Sequence, residues 1–121
     1  RLLPFTLVLE VDNMDTQSRY FPYEMSIVIN GLYDTIEALG LSLDSSNSAR
    51  GTLIVSDMEK TIKMRIAVQF DITKNQTQVA VFPEDVSADS TRVWGRVILD
   101  ELAGRMKRLN QLRRSEQKNE N

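Results

Sequence analysis

The chain has 121 residues, of which 41% are apolar and 26% charged, an ordinary balance for one globular domain with a core of its own. It contains no Cys and no His, which excludes disulfides, thiolate zinc sites and thiol nucleophiles and removes the commonest general base and metal ligand. The formal charge of −2 hides a division: residues 1–90 carry seven positive and thirteen negative groups, net −6, whereas residues 91–121 carry eight and four, net +4.

No run approaches the roughly 20 apolar residues that a membrane-spanning helix requires. Residues 3–11, where Phe5, Leu7 and Leu9 alternate with Thr6, Val8 and Glu10, predict a first strand. Residues 12–19 are a loop by composition, and Tyr20, Phe21 and Tyr23 form an aromatic cluster around Pro22, where a helix can begin. Met25, Val28, Ile29, Leu32, Ile36 and Leu39 then fall on one helical stripe. Gly31 lies inside that helix at a cost of about 1 kcal/mol relative to Ala, which a close approach to a sheet would justify. Gly40 directly after the stripe is suited to a left-handed C-cap.

Leu41 and Leu43 begin a second strand that gives way to the polar stretch 44–51, after which 52–55 resumes an apolar β-type run. Either a hairpin joins two short strands here or a single edge strand follows a long turn. Residues 61–72 are the clearest strand, with Ile62, Met64, Ile66, Val68, Phe70 and Ile72 facing one way and Lys63, Arg65, Ala67, Gln69 and Asp71 the other. Such alternation predicts a sheet with one buried and one wet face. A turn at 73–76 leads back through Val79 and Val81 to Pro83. Ser87 or Asp89 can cap a last helix over about 90–112, whose apolar positions include Trp94, Val97, Ile98, Leu99, Leu102, Met106 and Leu109. Gly95 would let that helix lie close to the sheet. Residues 113–121 have no apolar side chain to bury and read as a polar, disordered tail after a single domain at 1–112.

Three constellations bear on function. Glu84, Asp85 and Asp89 lack EF-hand spacing and a turn glycine, and acidic residues are expected at a helix start in any case, so no metal or cofactor is expected. Tyr20, Phe21 and Tyr23 with Trp94 either line an apolar ligand pocket between helix and sheet or pack into the core. Arg105, Lys107 and Arg108, with Arg113 and Arg114, surround Met106, Leu109 and Leu112. That basic amphipathic segment is either the solvated end of a helix or a face for an anionic membrane surface, an acidic partner or nucleic acid. The acidic body would repel a polyanion, so a protein partner or self-association is expected and nucleic acid is not. No carboxylate, Lys, Ser/Thr or Tyr set has a catalytic spacing, and no enzymatic activity is expected.

The stretch 23–41, YEMSIVINGLYDTIEALGL, followed by RGTLI at 50–54, the hairpin over 62–82 and the closing helix, resembles small bacterial envelope lipoprotein domains of unassigned function. It is more distantly similar to the repeated domains of the outer-membrane assembly lipoprotein C component. The resemblance implies a cell-envelope setting and a helix packed across an antiparallel sheet. A chain that opens at Arg1 is expected to be preceded by further sequence, where a signal peptide or lipid-anchor cysteine would lie.

The pattern predicts a two-layer α+β domain: an antiparallel sheet of three to five strands, two helices on one face, and the long C-terminal helix across it. Two functions are expected from it. One is a non-enzymatic binding or scaffolding domain; the alternative is a carrier of an apolar small ligand in a helix-grip pocket.

Overall fold

The computed structural model describes residues 17–84 and 88–119; the strand expected at 3–11, the cap at Ser87 and the carboxylate of Asp85 lie outside the described residues. The elements run β1 (Gln17–Phe21), α1 (Met25–Ala38), β2 (Ser42–Asn47), β3 (Thr52–Ser56), β4 (Lys63–Asp71), β5 (Gln76–Pro83) and α2 (Ala88–Asn119). The fold is α+β. The five strands form one antiparallel sheet in the order β1-β5-β4-β3-β2, the upper end of the expected range. β2 to β5 are a meander, and α1 carries the chain from one edge strand to the other.

α1 ends as its sequence predicts. Gly40 has φ +72°, its N–H donates to the Glu37 carbonyl at 3.1 Å, and the Leu41 N–H donates to the Ile36 carbonyl at 3.0 Å. This pair of bonds is a Schellman cap, completed by burial of both Ile36 and Leu41. The close approach allowed by Gly31 is to the other helix and not to the sheet: a Cβ there would overlap Met106 Cε and lie 3.0 Å from Leu102 Cδ1. Gly95 does face the sheet, with Val81 Cβ and Gln17 Cδ each 3.6 Å from where its Cβ would stand.

The middle strand confirms the alternation. Met64, Ile66 and Val68 are buried, while Lys63, Arg65 and Gln69 are exposed. In register with them lie Leu53 and Val55 of β3 and Val79 and Val81 of β5, all buried and all in one apolar cluster with Phe21, Val28, Leu32, Ile98, Leu99 and Leu102. The stripe overruns its cover at one end, where Phe70 is partly open and Ile72 is 86% exposed. α1 contacts β4 and β2, α2 contacts β1 and β5, and the helices contact each other.

Four expectations change. Gln17–Phe21 is a strand and not a loop, and α1 starts at Met25, three residues after Pro22. β1 escapes notice because two of the three residues on its helix-facing side are polar, leaving Phe21 alone without a period: Gln17 Nε2 donates to the Arg92 carbonyl at 2.6 Å, and Arg19 donates to the Leu99 carbonyl at 3.2 Å and to Asp100 at 2.9 Å. β2 continues through Asp44, Ser45 and Ser46, with a bulge between Leu43 and Ser45, so the hairpin alternative holds. As an edge strand it needs only its ladder to β3, not an apolar face. Val97 points away from the sheet and is 37% exposed, because one helical face cannot take both Val97 and Leu99. Residues 113–119, expected as a disordered tail, continue α2; Arg, Gln, Lys and Glu are good helix formers, and nothing there breaks the hydrogen-bond ladder.

Candidate functional site

Two of the apolar positions that α2 does not bury in the core, Leu109 and Leu112, lie together, while Val93 and Val97 are exposed elsewhere along the helix. α1 and α2 lie side by side in opposite directions, since Tyr23 and Gly31 meet Met106 while Leu39 to Leu41 lie by Trp94. Past Met106 the apolar stripe of α2 loses its cover. Leu109 is 38% and Leu112 62% exposed. Between them and α1 is an open cleft of about 400 Å³, lined by Ile27, Asn30, Gly31 and Asp34 from α1 and by Arg105, Met106, Arg108, Leu109, Leu112 and Arg113 from α2.

The floor is held from two sides. Gly31 admits the Met106 side chain, and Tyr23 Oη donates to the Met106 carbonyl at 3.4 Å. Thr35 Oγ1 donates to the Gly31 carbonyl at 2.8 Å, satisfying a buried hydroxyl inside α1. On the rim, Arg105 Nε donates to Glu101 Oε2 at 3.0 Å, one turn back along the helix, and Arg108 Nη2 lies 3.8 Å from the same oxygen. One carboxylate therefore orients two guanidinium groups and neutralises only part of their charge. Among the described residues Arg113 forms no ion pair. The opposite wall carries Asp34 and Asn30.

The predicted site residues separate into several places. Arg105 and Arg108 line the cleft together. Lys107 is exposed but does not line it. Tyr23 touches the back of the cleft floor through Met106. Tyr20 lies on the other face of the sheet, where Lys74 Nζ stands 3.9 Å from its ring centroid; adjacent strand residues point to opposite faces, so Tyr20 and the buried Phe21 cannot share a pocket. Trp94 is twelve residues from Met106 along α2, about 18 Å at the helical rise, beside Leu39, Leu41 and Met58. The aromatic constellation is thus not assembled as a single site. What sequence reasoning missed is the α1 wall. Ile27 is the one signal that could have pointed to it, an apolar residue beside the core stripe of Val28, Leu32 and Ile36.

Among the described residues no group of three or more Asp or Glu is placed to hold a metal ion, and no described helix is long and apolar enough to cross a membrane. No protein-family model and no curated protein matches this chain.

Proposed function

We propose that this domain is a non-enzymatic binding or scaffolding module that docks a protein partner on the distal half of α2. One observation carries the reading: Leu109 and Leu112, exposed apolar residues, share a cleft with Arg105, Arg108 and Arg113. An apolar centre ringed by arginines is the composition of protein contact surfaces, where Arg and Met are enriched and Lys depleted.

In this reading the domain has two layers, with both helices on the core face of the sheet and α2 lying across it toward β1 and β5. Support comes from the single cluster that joins Ile98, Leu99 and Leu102 to Val79, Val81 and Ile66. These side chains are almost wholly buried and fill the space where the alternative, an apolar ligand gripped between helix and sheet, would have to sit. A bacterial-envelope setting, through the resemblance to small lipoprotein domains, belongs to the same proposal.

Photo-crosslinking in the source cell tests it. A photoreactive residue at position 112 should give one discrete protein adduct that Arg108→Glu abolishes, and the same probe at Glu59, in the β3–β4 turn beside Trp94, should give none. Adducts to lipid alone at position 112, or none, would refute protein docking there.

A further inference from the structure

We infer that the occupant of the cleft between α1 and α2 is an amphipathic helix with one acidic flank, contributed by another protein. This rests on the docking reading above and adds the chemistry of the partner. Shape comes first. The apolar residues of the cleft, the half-buried Ile27 and the exposed Leu109 and Leu112, lie in a concave channel between two side-by-side helices. A rod about 10 Å across can reach the bottom of such a channel, whereas a flat bilayer meets its rims. From Met106 to Arg113 the channel follows two turns of α2, about 10 Å, which matches anchors spaced i, i+3 or i+4, and i+7 on a docked helix. The unbranched Met106 at the floor adapts to whichever anchor enters.

Charge then sets the polarity of the partner. The α2 rim carries Arg105, Arg108 and Arg113 against the single carboxylate Glu101, and the last 31 residues are net +4. The α1 rim carries Asp34 and the neutral Asn30. Carboxylates therefore belong on the flank of the partner that faces α2, and a neutral or basic residue on the flank that faces Asp34. A second copy of this chain does not satisfy this pattern. A two-fold contact whose axis crosses the cleft would set one arginine rim against its copy, an unfavourable pairing of like charges, and one whose axis follows the cleft would offer three arginines the single carboxylate of Asp34.

The test uses the full chain and synthetic peptides of roughly 18 residues, five helical turns. One peptide has Leu at i, i+3 or i+4, and i+7, Glu along one flank and Gln and Lys along the other; its control has the same composition scrambled. Followed by amide chemical shifts, the amphipathic peptide should perturb residues 27–34 and 105–113. Its affinity should fall at least about tenfold between about 50 and 300 mM salt, because exposed ion pairs are screened. The Arg108→Glu, Arg113→Glu double variant should bind at least about tenfold more weakly, with an unchanged thermal midpoint because both side chains are solvent-exposed. The scrambled peptide should bind at least about tenfold more weakly as well. Equal binding of the two peptides, perturbation confined to other surfaces, protection of Leu112 by a second copy, or saturable binding to anionic vesicles through Leu112 would each overturn the inference. A discrete protein adduct at position 112 in the cell combined with no peptide binding would refute the helical occupant and leave docking standing; loss of the adduct removes docking itself.

Discussion

Two glycines with the same backbone sign answer to different constraints. Gly40 and Gly51 have φ +72° and +75°, a region in which a Cβ costs about 1 to 2 kcal/mol. Around Gly40 a Cβ would meet nothing within 4 Å, whereas at Gly51 it would overlap the Val68 carbonyl oxygen. The Gly51 carbonyl also accepts from the Val68 N–H at 2.6 Å, so β4 cannot move away. Gly40→Ala should therefore cost only the backbone strain, about 1 kcal/mol, and Gly51→Ala at least about 1 kcal/mol more, both read by denaturant unfolding. Asp57 makes a different residue-scale point. The Thr61 hydroxyl, then the Ile62 and Thr61 N–H groups, donate to its carboxylate and hold its pKa below the ordinary 3.8. A depressed folded pKa contributes stability that is complete above the unfolded value and is lost as pH falls through the folded one. The thermal midpoint of the native chain should fall more steeply below about pH 4 than that of Asp57→Asn; parallel acid limbs would show that the turn gains nothing from the ionised form.

At the scale of elements, β4 and α2 each place side chains in the one apolar cluster. Ile66 and Leu102 are both wholly buried and belong to the same cluster, so truncation of either to Ala removes transfer energy and leaves a cavity. Each change should cost about 2 to 5 kcal/mol in chemical denaturation, and an effect under about 0.5 kcal/mol, usual for surface sites, would mean the face is misassigned. The far end of α2 behaves oppositely. Its residues from Arg113 to Glu116 are exposed, and a helical turn that buries nothing is held by propensity alone. Deleting residues 113–121 should shift the thermal midpoint by no more than about 3 °C, the equivalent of roughly half a kcal/mol. The same deletion removes Arg113 from the cleft rim, so stability and docking should separate in this variant.

For the whole molecule, the separation of charge governs association. Residues 1–90 are net −6 and residues 91–121 net +4, so an acidic surface is attracted by the basic segment only at short range, because fields beyond about 8 Å are screened at physiological salt. A duplex lying along α2 also approaches α1, which packs beside it and carries Asp34 and Glu37. Duplex DNA should therefore bind weakly or not at all near physiological salt. A submicromolar affinity that falls when Arg105, Lys107 and Arg108 are changed to Ser would overturn the protein-docking reading, since counterion release by those cations would then be driving association.

Residue order alone determined the elements whose burial is periodic. The stripe from Val28 to Ile36, the Schellman glycine at position 40, the alternation of Met64, Ile66 and Val68 and the stripe from Ile98 to Met106 each appear in the structure as local pattern requires, because a helix or strand that covers a core must repeat its apolar residues at 3.6 or 2. Edge strands escape that requirement. β1 reads QSRYF and β2 reads SLDSSN; one meets α2 through Gln17 and Arg19, the other is held by hydrogen bonds to β3, and neither leaves an apolar period to read. The basic character of Arg105 and Arg108 was legible as well, but not the wall they face. Asn30 and Asp34 lie about seventy-five residues from Arg105 and Arg108 along the chain, and only the close passage of α1 at Gly31 against Met106 makes one cleft of them. Gly31 signals a close approach within α1, but which element it meets is a property of packed helix surfaces that neither helix carries alone.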